Sequence, residues 1–133
     1  MKVQDLKVAV VDDNVFKSME IKRALEFNGI SNITLLNNQE DVWNLLNREE
    51  VDLIVTDMHY PLEKGAEADL HAGYILLEKM KEKGIQIPVI ICSSLNYLPE
   101  GAVGVVWYNR MKDLNFEFKE VLGRVMDNLS KEL

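Results

Sequence analysis

Apolar residues in this chain collect in short unbroken runs rather than in simple alternation, as in Val8-Ala9-Val10-Val11, Leu53-Ile54-Val55 and Val89-Ile90-Ile91-Cys92. A short continuous apolar run bounded by polar residues marks a strand buried on both faces, the environment of a parallel sheet covered by helices. Five segments fit this description, at residues 7–11, 33–36, 53–56, 89–92 and 103–107.

Between the runs the pattern shifts to helical spacing. A first helix begins near Asn14, continues through Ile21-Lys22-Arg23-Ala24-Leu25-Glu26 and stops at Asn28-Gly29, where glycine accepts the left-handed C-terminal turn. The second starts at Asn38 as cap, with Asp41 in its first turn and Val42, Leu45 and Leu46 facing inward before Arg48. The third is carried by residues 75–81 and ends at Gly84, with Pro88 opening the next strand. In the last, Phe118, Val121, Leu122, Val125, Met126 and Leu129 recur at helical steps behind Asp113, a stripe that reads as core packing. Strands alternating with helices build right-handed βαβ units. The predicted fold is therefore α/β, a doubly wound five-stranded parallel sheet in the order 2-1-3-4-5, flavodoxin-like.

Composition limits this picture without changing it. The 133 residues suit a single domain, 1–133, with no output domain attached, and 47% apolar against 28% charged residues is a globular balance. With 22 acidic against 15 basic residues the net charge is −7, which argues against nucleic acid and anionic membranes as partners. The sole cysteine, Cys92, sits in an apolar run and reads as a buried small hydrophobe. The first residues hold no apolar signal segment, and no run is long enough to span a bilayer, so a cytoplasmic location is expected.

The chemistry lies where the strands stop. The first runs into Asp12-Asp13 and the third into Asp57, and in the predicted order these strands are neighbours, about 4.8 Å apart. In open α/β sheets the ligand crevice lies beyond the carboxyl ends of the strands. A helix cap accounts for one acid at such an end, but not for three converging on one place. Three carboxylates together repel unless a cation shares the pocket, and hard oxygen ligands with room for water and a phosphoryl oxygen suit Mg2+.

Four segments together carry a family resemblance: Val10-Val11-Asp12-Asp13-Asn14; Leu53-Ile54-Val55-Thr56-Asp57-Met58 with Pro61; Gly73-Tyr74-Ile75-Leu76; and Pro88-Val89-Ile90-Ile91-Cys92-Ser93-Ser94. In this order and spacing they resemble the receiver domain of two-component response regulators. The resemblance implies that Asp57 is the phosphoacceptor and that Asp12, Asp13 and Asp57 bind Mg2+. Asp13 would touch the metal, Asp12 would hold a metal-bound water, and the backbone carbonyl of His59 would add an oxygen. It implies that Ser93 hydrogen-bonds the phosphoryl group. The side chains of His59 and His71 are expected to face solvent. The implied partners are a histidine kinase or phosphotransfer protein as donor and a downstream protein target.

The chain also departs from the receiver pattern. The lysine usual at the end of the fifth strand is replaced by Tyr108, which could donate a hydrogen bond to a phosphoryl oxygen but brings no charge; Arg110 and Lys112 are the alternative cations. Val105 stands where an aromatic switch residue is usual. Residues 62–72 form an insertion beside the acids, read either as a lid or partner contact or as a tolerated surface loop. The segment from Leu95 to Gly101, with Pro99 inside it, leaves room for at most one turn of the usual fourth helix.

Two readings result. In the first the domain is a phosphoacceptor receiver, not an enzyme beyond autocatalytic aspartyl phosphorylation and dephosphorylation; in the second it is a pseudo-receiver, an interaction module without phosphorylation. A small aspartate-nucleophile phosphatase fits poorly, because Asp12, Asp13 and Asn14 do not supply its second acid two residues after the first.

Overall fold

A strand whose every side chain is apolar must be covered on both sides, and the helices here do this in pairs. The computed structural model describes residues 2–131. After a 3-10 turn (Val3–Asp5), the elements run β1 (Lys7–Val11), α1 (Val15–Phe27), β2 (Asn32–Leu36), α2 (Gln39–Arg48), β3 (Leu53–Thr56), β4 (Tyr60–Pro61), β5 (Ala68–Asp69), α3 (Ala72–Lys83), β6 (Val89–Ser93), β7 (Gly104–Trp107) and α4 (Leu114–Lys131). The main sheet is five-stranded and parallel in the order β2-β1-β3-β6-β7, the predicted order once the small β4-β5 hairpin is set aside. The predicted strands match within a residue at each end.

Successive side chains of each strand point to opposite faces, so one run feeds two cores. Val8, Val10, Val55, Ile90 and Val106 pack with Ile21, Leu25, Phe118, Val121 and Val125 of α1 and α4. Ala9, Val11, Ile54, Val89 and Ile91 pack with Val42, Leu45, Leu76 and Met80 of α2 and α3. Each fully buried aliphatic side chain contributes roughly 1.5–3 kcal/mol, so these two layers are the main stabilising term. The capping pattern is as the sequence predicts: Asn14 accepts from the backbone N–H of Lys17, Asn38 from that of Asp41, and Gly84 closes α3 at φ 69°.

Two departures from the regular pattern lie at the top of the sheet. The insertion is not a free lid. Tyr60–Pro61 pairs antiparallel with Ala68–Asp69, and the hairpin is fastened to the start of α2 by Glu40 N donating to Leu62 O (3.0 Å) and Lys64 N donating to Glu40 Oε1 (3.0 Å). Between β6 and β7 no helix forms, as Pro99 and the short span predict. Residues 94–103 are held instead by the Trp107 indole donating to Ser94 O (2.9 Å), by Leu95 N donating to Ser93 Oγ (3.1 Å) and by Val103 N donating to Val89 O (2.8 Å).

Candidate functional site

The strand register places the acids. Val11 is aligned with Leu36 on one side and Thr56 on the other, so Asp12 and Asp57 each sit one residue past paired strand ends. The ladder continues through them: Asp12 N donates to Leu36 O and Asp57 N to Val11 O, both at 3.0 Å. One carboxylate oxygen from each of Asp12, Asp13 and Asp57 lies within 4.8 Å of the others. Their settings differ. Asp12 is buried, Asp57 partly buried and Asp13 exposed.

Asp57 is held by its surroundings rather than by its own side chain. Its carbonyl accepts from the Thr56 hydroxyl at 2.7 Å, and that hydroxyl lies 3.0 Å from the hydroxyl of the fully buried Tyr60. Burial pushes the Tyr60 phenol up to about 12, so it stays a neutral hydrogen-bonding group. On the other side Gly73, in the first turn of α3, donates its N–H to Met58 O (3.1 Å), and a Cβ there would lie 2.5 Å from Met58 Sδ and 3.1 Å from Asp57 O. A glycine is needed for that close approach.

The site contains its own cation, and it is not one the sequence points to. Lys17, in the first turn of α1, is 6% exposed, and its Nζ lies 2.8 Å from Asp12 Oδ2, 3.2 Å from Asp57 Oδ1 and 2.8 Å from the carbonyl oxygen of Cys92. One ammonium therefore joins the ends of β1, β3 and β6. Burial by itself would lower the pKa of Lys17, but the fields of Asp12 and Asp57 outweigh it and leave the ammonium more basic than an ordinary lysine. For Asp12 burial dominates, and its carboxyl is raised above the ordinary value despite the opposing pull of Lys17. The Cys92 thiol is pushed up to about 12, chiefly by burial, which leaves an inert side chain whose carbonyl is the useful group.

Tyr108 stands beside the site, past the end of β7, where Ser93 O accepts its N–H at 2.8 Å. Its hydroxyl does not point at the acids. It hydrogen-bonds Glu20, one turn beyond Lys17 on α1, and the ring lies 5.2 Å from Lys17 Nζ. Burial and the neighbouring Glu20 carboxylate push the phenol up to about 12. In this structure the Tyr108 hydroxyl is engaged by Glu20 and its ring forms a wall beside Lys17. The alternative cations are placed elsewhere: Arg110 is exposed, and Lys112 faces Glu117 at 4.0 Å.

Ser93 ends β6 and is buried, its Oγ accepting from Leu95 N. The hydroxyl proton remains available to an acceptor in the pocket. Val105 lies half-buried on β7, and the side chains of His59 and His71 are exposed as expected. Lys17 had one legible signal. The buried positions of α1 are Lys17, Ser18, Ile21, Ala24 and Leu25, while Val15 and Phe16 are 77% and 75% exposed. A lysine four residues before Ile21 lies on the inward face.

The donor set fits a hard divalent cation. Asp12 Oδ2 is buried without a partner in hydrogen-bonding geometry, since the close Lys17 contact is an ion pair that misses that geometry, and the exposed Asp13 opens the cluster to water. Mg2+ is typically held in this way, by one or two carboxylates plus waters. Asp12, Asp13 and Asp57 are the residues that would hold it.

The sheet order and the covering helices define a doubly wound, flavodoxin-like α/β domain with an acid cluster at the carboxyl end of its main sheet. The chain belongs to the response regulator receiver domain family, whose pattern matches residues 8–105. Among solved structures it is similar to the receiver domain of Francisella response regulator 1452, at 24% identity and a TM-score of 0.72 over 93% of this chain and 99% of that one. It is similar to the apo receiver domain of nitrogen regulatory protein C, at 24% identity and a TM-score of 0.69 over 93% and 97%. RcsB from Salmonella enterica serovar Typhimurium, solved on promoter P1flhDC in the presence of phosphomimetic BeF3-, matches at 16% identity and a TM-score of 0.72 over 93% of this chain and 61% of that one. At these identities the likeness concerns the fold. No curated protein sequence matches the chain. Among the described residues no helix is long and apolar enough to cross a membrane.

Proposed function

We propose that the domain accepts a phosphoryl group on Asp57, with Mg2+ held by Asp12, Asp13 and Asp57, and passes the signal to a protein partner. The observation that carries this reading is the convergence of three carboxylate oxygens within 4.8 Å at the carboxyl end of the sheet, with the buried hydroxyl-bearing Ser93 ending β6. Asp57 is the nucleophile because its side chain is 17% exposed whereas that of Asp12 is 1% exposed, so only Asp57 of these two can be reached by an incoming phosphorus.

In the reaction a carboxylate oxygen of Asp57 bonds to phosphorus as the P–N bond of a donor phosphohistidine breaks, and the imidazole leaves as a neutral ring after taking up a proton. Mg2+, when held by Asp12, Asp13 and Asp57, would supply charge neutralisation for the phosphoryl oxygens. The chain's own groups position: Thr56 holds the Asp57 backbone, Gly73 lets α3 approach it, and Ser93 offers a hydroxyl donor. The donor class is a histidine kinase or phosphotransfer protein, and catalysis is confined to the domain's own aspartyl phosphorylation and dephosphorylation.

The pseudo-receiver reading has one observation in its favour, that Lys17 already neutralises two of the three acids. Labelled acyl phosphate separates the two. Incorporation of acid-stable, base-labile label that disappears in Asp57→Asn supports the phosphoacceptor; no label in the parent with Mg2+ present leaves the interaction module, and full label in Asp57→Asn moves the acceptor elsewhere.

A further inference from the structure

We propose that Lys17 supplies the positive charge of the acceptor site, held against Asp57 before transfer and against a phosphoryl oxygen after it. This rests on the phosphoacceptor reading and deepens it. Three oxygens from three strands surround the ammonium: Asp12 Oδ2 beyond β1 and Asp57 Oδ1 beyond β3 as ion pairs, and Cys92 O on β6 as its hydrogen-bond acceptor. The Cys92 carbonyl is neutral and part of the rigid sheet, so it fixes where the nitrogen sits without consuming its charge. The Tyr108 ring at 5.2 Å closes another side and limits water there, which strengthens the charge as seen from Asp57.

Placement distinguishes Lys17 from a lysine that only fills space. Its nitrogen contacts the oxygen-bearing group that would carry the phosphorus, through an ion pair at 3.2 Å that is longer than the other two contacts and so the easiest to exchange. A phosphoryl group on Asp57 brings negative oxygens into reach of the same nitrogen by side-chain torsion alone, with the Cys92 contact kept. No proton is transferred in this step; the ammonium stays charged and changes partner. Arg110 is exposed and Lys112 faces Glu117, and among the described residues no other cation lies within ion-pairing distance of Asp57.

The same geometry predicts opposite effects on two ligands. Removing a positive charge beside Asp12 and Asp57 should tighten Mg2+ binding, because the ammonium and the metal compete for the same carboxylates. It should weaken capture of a phosphoryl-like anion, which loses a charge-assisted hydrogen bond. Amide NMR titrations with Mg2+ and then beryllofluoride read both on one sample. For Lys17→Met the expected result is Mg2+ affinity equal to or above the parent's and beryllofluoride affinity lower by about tenfold or more, the loss of one hydrogen bond to a charged group. Restoring an ammonium from the opposite wall, in the double variant Lys17→Met with Tyr108→Lys, should recover most of the adduct. Should Lys17→Met not keep the parent's circular dichroism, this double variant against Lys17→Met with Tyr108→Met carries the comparison.

An unchanged beryllofluoride affinity in Lys17→Met overturns the assignment and leaves Asp57 as acceptor. Loss of Mg2+ and beryllofluoride binding together in a folded Lys17→Met overturns it in favour of a structural lysine. A parent that binds Mg2+ but no beryllofluoride overturns this inference and the phosphoacceptor reading at once.

Discussion

Replacing Lys17 with methionine removes an ammonium of similar length while leaving the alkyl stem, so it tests the ion pairs more than the packing. The carboxylate of Asp12 then stays in a setting where its side chain is 1% exposed, supported only by the Asn14 N–H at 2.8 Å from Oδ1. Breaking a buried pair by removing one partner costs about 3–5 kcal/mol. The lower end applies, because the second partner, Asp57, is 17% exposed and can recruit water. For a domain of 133 residues, a loss of about 3 kcal/mol lowers Tm by roughly 10–15 °C. That is a large part of the 5–15 kcal/mol typical of a single domain, yet it leaves the variant folded at room temperature.

The cause is separable from general damage by a double-mutant cycle in EDTA. Adding Asp12→Asn to Lys17→Met removes the orphaned charge and keeps an acceptor for the Asn14 N–H, so the double variant should recover about 2 kcal/mol relative to the single one. Lowering pH should also relieve the single variant: burial already raises the Asp12 carboxyl, so between its ordinary pKa of 3.8 and its raised folded value the folded chain holds more protons than the unfolded one and gains stability as pH falls. Excess Mg2+ should rescue the single variant more than the parent, one cation replacing another. A Lys17→Met protein within about 1 kcal/mol of the parent in EDTA, or a double variant no more stable than the single, would refute this account of the buried pair.

Three further outcomes follow from the geometry. Lys17 binds its proton more tightly when folded, and the phenols of the buried Tyr60 and the partly buried Tyr108 ionise only near about 12, so the parent should keep full stability below about pH 10 and lose it as the unfolded chain deprotonates first; urea midpoints that stay flat to about pH 11.5 would contradict this. Gly73→Ala should cost about 1–3 kcal/mol and shift the Asp57 and Met58 amide resonances, since its Cβ would lie 2.5 Å from Met58 Sδ; unchanged spectra would mean α3 moves away freely. Beryllofluoride-induced shifts should run along α1 to Glu20 and across to Tyr108; shifts confined to residues 94–103 would place the response on the wrong side.

The sheet was legible because its signals are redundant. Each strand is an apolar run, α1, α2 and α4 begin behind an Asn or Asp, and α1 and α3 close on glycine; only the start of α3, capped by His71 without a side-chain hydrogen bond, lies three residues before the reading. The acids were legible for the same reason, as polar residues standing immediately after apolar runs. The cation was not. Tyr108 occupies the position from which a lysine would be read, while in α1 Val15 and Phe16 are exposed and a lysine and a serine are buried, so residue type points away from the inward face that the spacing to Ile21 marks. Only the convergence of three strand ends supplies the oxygens that make burial of Lys17 favourable, and that convergence is a property of the fold. The β4-β5 hairpin leaves no signal in the sequence for a simpler reason: two residues a side give no alternation to read.

Carrying the ammonium on α1 rather than on β7 changes which parts of the domain are mechanically tied to Asp57. A lysine on a strand of the main sheet is anchored to a ladder of backbone hydrogen bonds and can only swing its side chain. Lys17 is anchored to a helix that rests on the sheet through Ile21, Ala24 and Leu25 and packs against α4, and helices slide on apolar contacts more readily than strands leave a ladder. Glu20, on the same helix, holds the Tyr108 hydroxyl beyond the end of β7, so α1 is fastened to the site at two points one turn apart. On the opposite side, residues 94–103 have no helix to move, and Val105 offers no aromatic ring to rotate. By this geometry a change in charge at Asp57 should be felt first at α1, and through it at α4 and the end of β7.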